Sequence, residues 1–201
     1  MPHGPLFPGH LISWVWAVFA LYWLAAMIGN KATQRREPLV ARLAHVLMLV
    51  AGAVLLAWHG TPLAGWLSLR LWPRSLLLYW IGLALLVAGL GFSVWARVHL
   101  GRNWSGTVTV KEGHELIRTG PYRYVRHPIY TGILTGVIGT VICAATVRAV
   151  LGLLIIAVAL LRKLRAEERF MRETFPAQYQ EYCEEVPALI PFTRPRRSAP
   201  R

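Results

Sequence analysis

Two groups of residues in this sequence have the types and spacing to do chemistry. The first is Arg126-His127-Pro128-Ile129-Tyr130, and the second is the adjacent pair Glu167 and Glu168. Arginine supplies a fixed cation, histidine an imidazole that exchanges protons near neutral pH, tyrosine a ring with a hydroxyl, and the glutamates two acceptor groups. Such a set, at the lip of an apolar helix, could hold a charged reagent and still meet a lipophilic partner. His127 or a glutamate could also take a proton from an amine or thiol nucleophile. Each feature has a plain structural reading beside this one. Glu167 and Glu168 could lie on a solvated helix face paired by Arg165, Arg169 and Arg172, and Tyr122, Tyr124 and Tyr130 could be interfacial anchors. Neighbouring helical residues point about 100° apart, so only one of the two carboxylates is expected to face a given pocket squarely.

The elements that must position these residues are apolar. The 201 residues are 55% hydrophobic, include nine tryptophans, and carry no aspartate. That is the composition of a membrane protein. Runs long enough to cross a bilayer are expected at Leu11 to Gly29, Leu39 to Trp58, Ser75 to about Trp95, and Pro128 to Val147. Ala149 to Leu161 is apolar but short, and the Gly- and Pro-free stretch from Arg162 to Phe175 predicts a fifth helix continuing into the aqueous phase. A short helix over Gln178 to Glu185 should follow Pro176, then an extended end imposed by Pro187, Pro191 and Pro195. The predicted fold is therefore all-α and integral to the membrane, with about five transmembrane helices and a cytosolic C-terminal helical extension. Three regions follow: 1–96 with the first three spans, 97–193 with both polar clusters and the last two spans, and a disordered tail at 194–201. The run Leu11 to Gly29 reads as a retained first span because no positive n-region precedes it. Cys143 and Cys183 are expected to be free thiols.

The net charge of +13 could mark a nucleic-acid partner or a topology signal. Its distribution favours topology, because the basic residues flank apolar segments and form no continuous face interleaved with exposed aromatics. Lys and Arg number four, six and nine in the loops of one side and two and one in those of the other, and all nine glutamates fall on the richer side. The positive-inside rule then puts the N-terminus outside and the C-terminus in the cytoplasm, and both chemical clusters share one compartment. No paired metal-ligand spacing and no nucleophile motif occurs. Gly89-Leu90-Gly91 echoes a nucleotide loop, but no strand precedes it and no acidic residue follows at the required distance.

The order of motifs over the second half of the chain resembles the isoprenylcysteine carboxyl methyltransferase family, integral-membrane enzymes that use S-adenosylmethionine and include phospholipid methyltransferase relatives. The resemblance runs through Leu100-Gly-Arg-Asn-Trp-Ser105, His114 to Tyr122, Arg126 to Tyr130, Glu167-Glu168, Phe175 to Tyr182 and Val186 to Phe192. It implies methyl transfer from S-adenosylmethionine to a lipophilic small-molecule or lipidated acceptor. It places His114, Tyr122, Arg126, His127, Pro128, Tyr130, Glu167 and Glu168 around the cofactor. Arg162, Lys163 and Arg165 match the region where the eukaryotic enzymes carry an acceptor-orienting arginine. Membrane lipids are expected partners; nucleic acid and metal are not. The competing enzyme reading is a membrane reductase related to sterol reductases, which would use a nicotinamide cofactor. Adjacent glutamates are poor neighbours for its pyrophosphate. The non-enzymatic reading is a scaffold whose basic inner face binds anionic lipid.

Overall fold

The computed structural model describes residues 10–27, 38–57, 65–101 and 116–193. Among them six α-helices follow one another: α1 (His10–Met27), α2 (Leu39–Ala57), α3 (Leu76–Leu100), α4 (Pro128–Ala144), α5 (Val147–Thr174) and α6 (Pro176–Glu185). Single 3₁₀ turns at Gly65–Ser68 and Gly120–Arg123 complete the regular structure of the described residues. Helices α2 and α3 are long and apolar enough to cross a membrane, and α1 and α4 are shorter apolar helices. The fold is all-α and of the membrane type. The third span runs further than its hydropathy suggested: Arg97 and His99 lie inside the last turn of α3 and do not follow it. His114, the residues 102–105 and the tail 194–201 lie outside the described residues.

Described contacts gather helix ends at two ends of the bundle. At one end Arg97 is buried and donates to the Ala26 carbonyl at the close of α1 at 2.6 Å. At the other end the Leu71 and Val147 amides donate to the Ala145 and Leu69 carbonyls, and Arg148 donates to the Leu55 carbonyl near the end of α2 at 2.9 Å. Both arginines satisfy helix-terminal carbonyls that would otherwise lack partners. Ala145, in the left-handed region at φ 54°, makes the tight turn between α4 and α5.

Helices α3 and α4 are in backbone contact along a glycine seam. A Cβ on Gly89 would sit 2.6 Å from the Gly132 carbonyl oxygen and 2.7 Å from the Gly136 nitrogen. Close approach of this kind is how helices pack where lipid removes the hydrophobic drive between them. Ser93, fully buried on α3, donates to the Ile129 carbonyl in the first turn of α4 at 2.8 Å and sets the register of the seam. Gly89→Ala is therefore expected to destabilise the protein by about 1–3 kcal/mol. Gly91→Ala, where a Cβ meets nothing within 4 Å, should be neutral or slightly stabilising. Thermal unfolding of the two variants in detergent checks the contrast.

Helix α5 combines both halves of the predicted fifth segment in one rod. Its buried stripe runs through Ala149, Gly152, Ile156, Leu160 and Leu164 to Glu168, so the packed face of the span leads directly to a carboxylate. Phe175, at φ −130° and ψ 63°, breaks the rod, and Pro176 opens α6, where its missing N–H costs nothing.

Candidate functional site

The two chemical clusters meet where α4 enters the bundle. Pro128 is the first residue of α4 and is buried, so His127 sits immediately before the helix and Tyr130 on its first turn. Their rings stack with centroids 5.6 Å apart and planes 5° from parallel. Across from them stands the polar half of α5. Tyr130 donates its hydroxyl to Glu167 Oε1 at 2.6 Å, and His127 Nδ1 lies 3.7 Å from Glu167 Oε2. Arg126 donates through Nε at 3.1 Å and Nη2 at 2.6 Å to Glu168 Oε1, which also lies 3.3 Å from His127 Nε2. Arg172, one turn along α5, donates to Glu168 Oε2 at 3.2 Å.

Both glutamates therefore face the cluster, against the expectation that only one would. His127 approaches Glu167 through Nδ1 and Glu168 through Nε2, so one ring meets both carboxylates. Only Arg172 of the three arginines proposed as solvated partners makes a hydrogen bond to Glu168.

Arg126 does more than pair a carboxylate. Its Nη1 donates to the carbonyls of Val186 and Cys183, the last turn of α6, where a cation also complements the helix dipole. The Arg126 and His127 amides donate to the Pro187 and Ala188 carbonyls at 2.9 and 3.0 Å, and Thr131 donates its hydroxyl to the Leu189 carbonyl at 2.7 Å. The chain after α6 is thus strapped along the entrance to α4. Tyr182, buried on α6, donates to the Tyr122 carbonyl at 2.5 Å. Arg118 holds Glu181 and Glu185 at the rim. Tyr122 is itself buried and stacks on His99, and Gly120, at φ 59°, makes the turn because a Cβ there would lie 2.6 Å from the His99 ring. Thr131 and the 186–189 carbonyls were not legible as site components. Backbone carbonyls carry no residue signature, and the one local signal was Pro187, which holds Val186 extended.

Electrostatically the cluster is dominated by Glu168. Burial alone would push its carboxyl upward, but hydrogen bonds from His127 and Arg126 and the charge of Arg126 outweigh that and bring it down to about 2. Burial by itself would lower the Arg126 guanidinium, and Glu168 more than offsets it, so Arg126 ends above its ordinary value. Burial raises the Tyr122, Tyr179 and Tyr182 phenols, which stay protonated donors. Glu168 is ionised in the folded protein at pH values where an unfolded chain has already bound a proton. Its contribution, about 3 kcal/mol, is therefore fully present above the ordinary carboxylate value and is lost as pH falls toward about 2. The difference in unfolding free energy between wild type and Glu168→Gln should be flat above pH ~5 and shrink below it.

The candidate acceptor residues lie elsewhere on α5. Arg162 and Arg165 are exposed, and Lys163 is half-buried. Neither exposed arginine joins the hydrogen-bonded cluster described above. Among the described residues no group of three or more His, Cys, Asp or Glu side chains could hold a metal ion.

Comparison with known proteins finds a family that this arrangement resembles. Residues 80–173, which hold α4 and both glutamates, match the sequence profile of the isoprenylcysteine carboxyl methyltransferase family. A probable protein-S-isoprenylcysteine O-methyltransferase of Oryza sativa subsp. indica is 31% identical over 121 residues, covering 57% of this chain and 63% of that protein. A cobalt-zinc-cadmium resistance protein of Cupriavidus metallidurans is 33% identical over 116 residues, covering 56% of this chain and 51% of its own. The solved structure of the eukaryotic intramembrane Ras methyltransferase of the same family superposes with a TM-score of 0.53 at 24% identity, over 76% of this chain and 51% of that one. That likeness establishes the fold. The chain spans about three-fifths of the length of the plant relatives it matches.

Proposed function

We propose that the protein transfers a methyl group from S-adenosylmethionine to a lipophilic or lipidated acceptor at the inner surface of the membrane. The observation that carries this reading is the enclosed cluster of two carboxylates, one guanidinium and a stacked His–Tyr pair at the entrance to α4, inside the stretch that matches the methyltransferase family. The cluster fits the donor set of that cofactor. Glu167 is the more open carboxylate, its side chain 23% exposed against 11% for Glu168, and it suits an incoming hydroxyl or ammonium group. His127 and Tyr130 offer aromatic faces. Arg126 is committed to Glu168 and α6, so it acts as a positioning residue that holds the wall of the site in place. Tyr122 and Pro128 shape the edges, and His114 belongs to the same set by family resemblance.

Bound there, S-adenosylmethionine supplies a methyl carbon activated by a sulfonium leaving group. The residues of this chain then have to align an acceptor atom and keep water out. A carboxylate acceptor needs no base. An amine or thiol acceptor would give up its proton to His127 or Glu167. Lys163, with Arg162 and Arg165, is proposed to meet the acceptor's polar end, while its apolar part stays in the bilayer. The basic loops support placement in the plasma or inner membrane with the N-terminus outside and the C-terminus cytoplasmic. Nothing in the geometry favours a nicotinamide-dependent reductase or a non-enzymatic scaffold.

The test is incubation of the purified protein with methyl-labelled S-adenosylmethionine and a farnesylated cysteine derivative. Base-labile label in the lipid phase is the expected product of carboxyl methylation. Base-stable label would assign an N- or S-acceptor, and label that never enters any lipid-soluble product, from this acceptor or from added membrane lipids, would contradict the proposal.

A further inference from the structure

The exposed face of α5 carries a feature that the carboxylate cluster does not use. Arg162, Arg165, Arg169 and Arg172 follow at intervals of three, four and three residues and are all exposed. At 3.6 residues per turn they form one column about 15 Å long on a single side of the helix. Leu154, Val158 and Leu161 lie on the same side, toward the membrane, and are 54, 48 and 37% exposed. The face therefore changes from an apolar strip to an arginine strip where the span leaves the hydrocarbon. It flanks the buried stripe of Leu160, Leu164 and Glu168, which pack into the protein. Arg172 is engaged by Glu168, and Glu173 stands beside the far end of the column. The membrane-proximal Arg162, Arg165 and Arg169 form its binding part.

We infer that this face is a binding site for an anionic phospholipid of the surrounding leaflet, its headgroup on Arg162, Arg165 and Arg169 and its chains along Leu154, Val158 and Leu161. Charge complementarity demands an anion, and guanidinium forks suit a phosphate. The apolar strip in line with them selects among anions. The strip sets the arginines at the edge of the bilayer, where the headgroup of a lipid whose chains run along Leu154 and Val158 is the anion already within reach, and an acidic protein segment or free phosphate is not held there. The inference shares Arg162 and Arg165 with the proposed acceptor contacts and in that respect rests on the proposed function, but lipid retention is read without the methyl donor, so the two fail separately.

Native mass spectrometry of the full chain in detergent, titrated with phosphatidylglycerol, phosphatidylcholine or inorganic phosphate, tests it. The wild type should retain phosphatidylglycerol at least about tenfold better than phosphatidylcholine, given the attraction of each basic residue to an anionic headgroup. The Arg162→Gln, Arg165→Gln, Arg169→Gln triple variant should bind both lipids alike, and the corresponding triple lysine variant should keep most of the preference. Should the triple glutamine variant not be recovered, Arg165→Gln alone should lower the preference severalfold. Equal retention of the two lipids by the wild type, an undiminished preference in the glutamine variants, or displacement of phosphatidylglycerol by millimolar phosphate would overturn it.

Discussion

Replacing Arg126 with methionine lowers the stability of the folded protein by about 3–5 kcal/mol and abolishes cofactor binding. The magnitude is that of breaking a buried ion pair by deleting one partner. The reason is local. Both Arg126 and Glu168 have side chains only about a tenth exposed, 9% and 11%, so removing the guanidinium leaves Glu168 with the weaker contacts from His127 and Arg172. The same deletion frees the Val186 and Cys183 carbonyls and releases the end of α6 from the entrance of α4. Two losses thus come from one side chain. Arg126→Met combined with Glu168→Leu should recover much of the stability, since an apolar pair of similar volume avoids the desolvation cost, but it should not recover binding. Unfolding of the three variants in detergent measures this. A loss under about 1 kcal/mol in the single variant would show that Arg126 is not what fastens α6 to the site.

Glu167→Gln is expected to do the opposite: lower affinity for S-adenosylmethionine by about 10- to 100-fold, as for loss of a hydrogen bond to a charged group, with little change in stability. Glu167 is the more open carboxylate, and its contacts come from Tyr130 and His127 with no guanidinium among those found. Glutamine still accepts from the Tyr130 hydroxyl through its carbonyl but no longer offers a charge to an ammonium or a sulfonium. The adjacent glutamates would then divide their work, Glu168 holding the wall and Glu167 meeting the ligand. Isothermal titration alongside a melting curve separates the two effects. Equal stability losses in Glu167→Gln and Glu168→Gln would refute the division.

Much of this was legible in the residues. The helices of the bundle followed from long apolar runs, of which α2 and α3 reach bilayer length, and the continuation of α5 past Leu161 followed from the fourteen residues Arg162 to Phe175, with neither Gly nor Pro. Pro128 marked a helix start, whereas Pro176, expected only to end the preceding helix, is itself the first residue of α6, two positions before the expected Gln178. His127, Tyr130 and the glutamates stood out because polar groups at the foot of a membrane helix need a reason. Tertiary geometry hid the rest. Helical periodicity placed Glu167 and Glu168 on diverging directions, and it could not show that a stacked ring pair from α4 would bridge them. It could not assign Arg126 to α6 either, because its partners there are backbone carbonyls nearly 60 positions later in the chain. The glycine seam between α3 and α4 is visible only in the folded chain.

The claim at the centre is that the cluster at the entrance to α4 is the methyl-donor site. Calorimetric titration of S-adenosylmethionine into the detergent-purified protein, wild type against His127→Ala and Glu168→Ala, measures it most directly. Saturable binding by the wild type, with loss in both variants, is the predicted result. No heat of binding with the wild type would contradict methyl-donor binding altogether, and equal binding by all three proteins would place the donor somewhere other than between α4 and α5.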